Sequence, residues 1–386
     1  MNIKLKPKKE ILVFVDWFWP GYLAGGPVQS IVSLVGYLHE DFDFKIVTTN
    51  KDLNSKEPYP GIEADKWIKL ELGCEAYYAS NLSVAIITKL IKETKFDVVY
   101  INSFFSKFFS IIPLQTLRRE KIKKPVILAP RGMLGEGALA LKKWKKKIFI
   151  LYSKLTSLHS NVIWHATSAQ EAMEIRSVFK NPGKVSKISN LPKKLKGASN
   201  KSKVAGKLNL CFISRISEKK NLLYALRVLS RIRTGHIYFN IFGPLESTEY
   251  WNKCVEEIDK LPANIQVEYK GSVKPNELEE TLSTQHFMLL PTMNENFGHS
   301  IVESLMCYCP VIISDQTPWK DLEENNAGFS ISLGEPDLFV KAAERALGMD
   351  NKEYSKWSLA ANKYISSRIN LNEIIGQYKN LFNDPI

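Results

Sequence analysis

Two carboxylates separated by seven residues, Glu295 and Glu303, stand in the stretch HFMLLPTMNENFGHSIVESLMCYCPVII, residues 286–313. Phe287 to Leu290 has the pattern of a short buried strand. Pro291 to His299 reads as a loop, Ser300 opens an apolar helical segment, and Pro310 ends it before a strand at Val311 to Ile313. In open parallel sheets ligands collect beyond the carboxyl ends of strands, which is where this loop falls. Gly298 lets the chain approach a ligand closely, and the free N–H groups around His299 and Ser300 form an anion site at the helix start. Carboxylates on both sides of an anion site suit a ligand with hydroxyl groups flanking a phosphate, and a nucleotide-sugar has that shape. Ser300 to Glu303 also has the spacing of a capping box, in which Glu303 would serve backbone donors alone. Glu295 has no such explanation.

A second set of charges follows another strand, in LCFISRISEKKN, residues 210–221. Arg215 and Lys220 sit in the turn between that strand and the next helix, an arrangement that suits a diphosphate. A solvated basic turn is the plainer alternative. Near the start of the chain, Gly25-Gly26-Pro27 opens a helix, and paired glycines there either make a simple turn or admit a phosphate or sugar.

The spacing of Glu295 and Glu303, with Phe297 and Gly298 after the first, resembles the signature of the retaining GT-B-fold glycosyltransferases of the family-four (group 1) type. The resemblance implies that Glu295 contacts the donor hexose and Glu303 the nucleotide's ribose, with Phe297, Gly298, His299 and Ser300 lining the donor site. Arg215 and Lys220 match the family's phosphate pair, although Asn221 stands where members often have glycine. Gly25 and Gly26 fall where the family's glycine-rich loop faces the donor phosphates. Arg131, in Pro130-Arg131-Gly132-Met133, falls where members meet donor phosphate or acceptor. Many members also direct a histidine at the hexose. Asn102, at the end of Tyr100-Ile101-Asn102, takes that place, or else His165 at a later strand end does.

Positioning these groups requires two alternating series. Strands at 11–15, 44–48, 96–101, 126–129 and 162–165 are separated by helical patterns at 28–38, 84–92, 104–120, 136–155 and 169–178. A second series runs through strands at 208–213, 236–242, 265–270 and 287–290. Such alternation calls for parallel doubly wound sheets. The expected fold is α/β with GT-B architecture, two Rossmann-like domains facing each other across a cleft. Residues 1–195 form the acceptor-side domain and 206–365 the nucleotide-sugar domain, and a final helix at about 366–386 returns to the first. The Lys, Ser, Gly and Pro-rich stretch 181–206 reads as the linker. Asp41-Phe42-Asp43 has the form of a metal motif but precedes a strand, and reads as a solvated turn.

The 386 residues, with 45% hydrophobic and 24% charged side chains, have the composition of a globular protein of two domains. No run approaches the ~18 apolar residues of a membrane span, and Ile11 to Val15 is too short for an export signal. The five cysteines are scattered and read as reduced core residues. The net charge of +13 is confined to one half: residues 1–200 hold 32 Lys and Arg against 17 Asp and Glu. An anionic partner for that half follows. In the helical pattern 136–155, Leu141, Trp144, Ile148, Leu151 and Leu155 share one face, expected to pack on the core. Lys142, Lys143, Lys146 and Lys147 project oppositely, toward an anionic membrane surface.

The expected activity is metal- and cofactor-independent transfer of a hexose from a nucleotide diphosphate-sugar to a glycan or lipid-linked acceptor, with retention. It belongs to bacterial lipopolysaccharide or capsule synthesis, in the cytoplasm at the inner face of the plasma membrane. A sugar-nucleotide epimerase or hydrolase of the same fold would share the donor half. A non-catalytic binder of anionic polymers is a further alternative, but no array of interleaved aromatic and basic residues marks a nucleic-acid site, and nucleic acid is not an expected partner.

Overall fold

The computed structural model describes residues 7–140, 143–197 and 201–385. It comprises two compact units, Met1–Leu191 with Leu371–Ile386, and Pro192–Asn370. The first contains β1 (Lys9–Phe14), β2 (Phe42–Thr49), β3 (Trp67–Leu70), β4 (Cys74–Ala79), β5 (Val98–Ile101), β6 (Val126–Leu128), β7 (Val162–Ala166) and β8 (Val185–Lys187). They form one sheet in the order β3-β4-β2-β1-β5-β6-β7-β8, parallel apart from the β3–β4 pair. The second unit contains β9 (Lys207–Ile213), β10 (His236–Phe242), β11 (Ile265–Tyr269), β12 (Phe287–Leu290), β13 (Val311–Ser314) and β14 (Gly328–Ile331). Their order is β11-β10-β9-β12-β13-β14, all parallel.

Parallel sheets covered by helices on both faces need strands that are apolar throughout. The middle strands comply, with β5, β6, β12 and β13 buried along their whole length. The order of each sheet reverses direction at its first strand. In the second unit, β9 leads outward to β10 on one side, and β12 then pairs with β9 on the other, Leu210 opposite Phe287 and Cys211 opposite Met288. The connections after β9 and β12 therefore lead away to opposite sides, and a crevice opens at the carboxyl edge of that pair. The first unit repeats this between β1 and β5. The last helix, Leu371–Asn383, belongs to the first unit. There the Phe382 ring meets Phe42 at 5.4 Å and Tyr100 at 5.5 Å. All five cysteines are buried and free.

Several expectations are corrected. Phe42 and Asp43 lie inside β2 rather than in a turn before it, and Asp41 is paired with Lys379 at 2.7 Å. The stretch 181–206 is not plain linker, since β8 falls within it. Within the helical pattern at 136–155, Glu136–Ala140 and Lys143–Leu155 are helical, and Leu141 and Lys142 lie outside the described residues. The faces of helix Lys143–Leu155 are the reverse of those expected. Trp144, Ile148, Leu151 and Leu155 are exposed, while Lys146 turns inward over the Phe105 ring and donates to the Ala138 carbonyl. Lys143 and Lys147 are exposed as expected.

The β9–β10 ladder ends at Gly243, which has φ 141° and where a Cβ would lie 1.8 Å from the Ser214 carbonyl oxygen. Gly243→Ala must part the two strands beside Arg215. The expected result is a loss of about 1–3 kcal/mol in urea unfolding, of the size seen for overpacked cores, together with weaker binding of a nucleotide diphosphate.

Candidate functional site

At the reversal in the second unit, β9 runs into Ser214-Arg215-Ile216 and a 3-10 turn, Glu218–Lys220. Asn221 follows in the left-handed region, φ 63° and ψ 41°, and starts helix Leu222–Leu229. After glycine, asparagine is among the residues that best tolerate this conformation, which explains its presence there. Lys220 is thereby aimed across the crevice, where its ammonium forms an ion pair with the Glu295 carboxylate. Both side chains are largely shielded, 13% and 12% exposed. The backbones are tied as well: Met293 N–H donates to the Lys219 carbonyl at 2.8 Å, and the buried Thr292 hydroxyl donates to it at 3.2 Å. On the far side, Glu295 N–H donates to the Gln316 carbonyl at 2.9 Å, and the Ser314 hydroxyl donates to the Thr292 carbonyl. Arg215 lies farther out, held at 3.0 Å by Glu246 from the loop after β10.

Gly298 precedes helix His299–Met306 with φ 73°, and no side chain caps the helix. The capping-box alternative is thus excluded. Ser300 is inside the helix, and Glu303 lies in its second turn. The helix start leaves N–H groups for an anion. Phe297 is buried under it, its ring 4.8 Å from His299 and 6.0 Å from Trp319, whose indole N–H donates to the Phe297 carbonyl at 2.8 Å. Glu303 is 9% exposed, and its carboxylate makes no hydrogen bond or ion pair among the described residues. Burial raises its pKa from 4.5 to about 7, against the pull of the Lys193 charge.

In the first unit, Gly25 (φ 68°, ψ −124°) and Gly26 lead into helix Gly26–Leu38, also without a side-chain cap. A Cβ at Gly25 would meet nothing within 4 Å, so only its backbone requires glycine. The loop is anchored by Asp52, whose Oδ2 accepts from Tyr22 N–H at 2.7 Å and Leu23 N–H at 3.1 Å. Asp16, directly after β1, faces the loop after β5 across the second reversal, and its Oδ1 accepts from the Ser106 hydroxyl at 2.7 Å. Burial raises its pKa.

Two assignments in this unit are corrected. His165 is fully buried: Nε2 donates to the Ile188 carbonyl at 2.9 Å, so Nδ1 accepts from the Tyr100 hydroxyl at 2.8 Å. Burial, helped by the nearby Arg131 charge, lowers its pKa to about 3. It is a neutral framework residue with no nitrogen left for a hexose. Arg131 is likewise committed, donating to Asn102 Oδ1 at 2.7 and 3.1 Å, to the Tyr100 hydroxyl at 2.9 Å and to Asn190. It orients Asn102 rather than offering a free phosphate contact. The Asn102 NH2 group is buried without a protein partner among the described residues. Asp16, Asp52 and Thr292 were not singled out from the sequence. A carboxylate directly after an apolar strand was a readable sign for Asp16, whereas Asp52 and Thr292 acquire their roles only through contacts.

Residues 197–364, most of the second unit, match the family model of glycosyl transferases group 1. The chain is 22% identical over 370 residues to an uncharacterized 41.2 kDa protein in the cps region of Klebsiella pneumoniae, covering 92% of this chain and 96% of that one. Among solved structures, HepE of Anabaena in complex with UDP-glucose superposes with a TM-score of 0.73 at 13% identity, over 97% of this chain and 99% of that one. Sucrose-phosphate synthase of Thermosynechococcus elongatus gives 0.71 at 12% identity over 98% of both chains. The chain has the GT-B fold. Its residues 197–364 are similar to the group 1 glycosyl transferases.

Removing one partner of the shielded Lys220–Glu295 pair leaves the other charge uncompensated. Lys220→Met and Glu295→Gln should each cost about 1–3 kcal/mol, and the double variant less than their sum, in urea unfolding.

Glu303 gives a pH test. Between 4.5 and about 7 the folded state holds a proton that the unfolded state releases, so stability falls as pH rises through this window. Relative to Glu303→Gln, the protein should lose up to roughly 3 kcal/mol from pH 4 to pH 8. A constant difference between the two proteins over that range would refute the shift.

Proposed function

We propose that the protein transfers a hexose-type sugar from a nucleotide diphosphate-sugar to a hydroxyl of a glycan or lipid-linked acceptor, with retention and without a metal or other cofactor. The observation that carries this reading is the Lys220–Glu295 pair at the strand-order reversal, beside an uncapped helix start. A cation, a carboxylate and a helix start with no side-chain cap suit a sugar joined to a diphosphate. We assign the buried Glu303, which has no hydrogen-bond or ion-pair partner among the described residues, to the ribose hydroxyls.

Departure of the diphosphate breaks the anomeric C–O bond and leaves negative charge on phosphate oxygen. Arg215, Lys220 and the N–H groups at His299 and Ser300 would receive that charge, an electrostatic role for which they are already oriented. Glu295 would orient the sugar and offset positive character at the anomeric carbon. The acceptor oxygen attacks from the face the diphosphate leaves, and its proton passes to the departing phosphate oxygen. This route differs from that of retaining hydrolases, which place two carboxyl groups about 5–5.5 Å apart. Surface-polysaccharide synthesis at the inner face of a bacterial plasma membrane is the setting favoured by the similarity to the cps-region protein and to WaaB, a lipopolysaccharide outer core galactosyltransferase.

The test is a screen of nucleotide-sugars for acceptor-dependent release of the nucleotide diphosphate, with NMR of the new linkage. Glu295→Gln and Lys220→Ala should each lower kcat by about 100-fold or more, comparable to loss of an oxyanion donor. Arg215→Ala should weaken binding of the nucleotide diphosphate far more than of the nucleoside. Free sugar formed without acceptor would reassign the chain to hydrolysis, and full turnover by Glu295→Gln would remove Glu295 from the site.

A further inference from the structure

Helix Lys143–Leu155 buries only Ser153 fully and leaves four of its large apolar side chains in solvent. Trp144 is 76% exposed, Ile148 66%, Leu151 58% and Leu155 77%. Their spacing of four, three and four residues confines them to an arc of roughly 60°. The opposite face holds the helix in place. Phe149 packs on Phe104 and Phe105 at 5.6 and 5.7 Å, and the Ser153 hydroxyl pairs with His159 Nδ1 at 2.7 Å. With that side committed, the apolar stripe must point outward.

The borders of the stripe are cationic. Lys143, Lys147 and Lys154 follow one edge, and Lys145 stands beside Tyr152 on the other, all exposed. No Asp or Glu occurs between Glu136 and Glu171. A soluble surface rarely keeps so continuous an apolar row uncovered, and a row edged only by lysines fits a layer with anionic headgroups above an apolar interior. A tryptophan at one end and lysine stems long enough to reach outward complete the match. Pairing with a second copy would bring cationic borders together with no acid on the helix to offset them.

We propose that helix Lys143–Leu155 docks this protein on an anionic lipid surface by inserting Trp144, Ile148, Leu151 and Leu155 among the headgroups, with Lys143, Lys145, Lys147 and Lys154 meeting phosphates. The purpose of docking rests on the reading of a lipid-borne acceptor, whereas docking itself depends only on the helix, so the two fail separately. Because apolar insertion adds to charge attraction, part of the binding survives salt, unlike binding by lysines alone.

The experiment is cosedimentation of the full chain with phosphatidylcholine vesicles with and without 30% phosphatidylglycerol, at low and high salt. Trp144→Ser with Leu151→Ser and Leu155→Ser replaces exposed side chains only, and circular dichroism checks its fold. The expected result is at least tenfold weaker partitioning of this variant at both salt levels, with turnover of a water-soluble acceptor unchanged. Replacing the four lysines by Gln should reduce binding mainly at low salt. Equal vesicle binding by the Ser variant and the parent, or no binding by the parent, would overturn the proposal. So would a dimer of the parent that the Ser variant lacks, which would assign the stripe to a second copy. Vesicle binding by a parent that releases no nucleotide diphosphate would instead sink the transferase reading alone.

Discussion

The ion pair between Lys220 and Glu295 depends on a topological constraint. In the second sheet the strand order reverses between β9 and β12, so no connection covers the carboxyl ends of that pair. Something must fill the gap, and a backbone edge alone would leave polar groups unpaired. The loops after β9 and β12 meet there through Lys219 and Thr292, and the two opposite charges close the contact. Taking both charges out of water opposes their attraction, so the pair adds little net stability on its own account. It makes better sense as a cation and a carboxylate stored in position. A diphosphate approaching Lys220 would compete with Glu295 for the ammonium and leave the carboxylate directed at whatever the phosphate carries.

Glu303 shows the same economy from the other direction. A carboxylate that is buried with no hydrogen bond among the described residues is an unfavourable arrangement, and burial raises its pKa to about 7. Hydroxyl groups from a ligand would supply the missing donors and favour the ionised form. Stability withheld in the free protein would thus be recovered on binding. In the first unit the orphaned amide of Asn102 is a smaller instance, oriented by Arg131 and left without a donor's partner.

Much of this was legible in the sequence because it depended on local rules. The parallel alternation and the strand Phe287–Leu290 to the residue followed from apolar runs, and charges at strand ends marked Lys220 and Glu295, though not their ion pair. What failed turned on the direction in which particular side chains point. Ser300 to Glu303 has capping-box spacing, but the left-handed Gly298 starts the helix one residue sooner and turns Glu303 inward. His165 ends a strand, as a ligand-facing residue would, yet its ring lies under Tyr100 and Tyr378, with centroids 5.9 and 5.3 Å away. Strand-end position says how far along a sheet a residue lies and nothing about whether it points at solvent or core. The short strands β3 and β4, the edge pair, lacked the continuous apolar run that marks buried strands.

Helix Lys143–Leu155 is the sharpest case of the same limit. Periodicity identifies an apolar stripe but leaves its direction to the surroundings, and the ordinary expectation sends it to the core. Here the core contact is made instead by Phe149, which joins Phe104, Phe105 and His159 in an aromatic cluster. Phe149 and Ile150 pack against the core, and the Ser153 hydroxyl pairs with His159, so the helix is held without the stripe. The stripe is therefore surplus to folding. Its direction also changes the meaning of the basic half of the chain. Lysines facing solvent on the far side of a core-packed helix would form a diffuse cationic surface; lysines edging an exposed apolar row define a line with an orientation. A protein held along such a line would meet an acceptor anchored in the same surface at a fixed height, which diffuse charge does not provide.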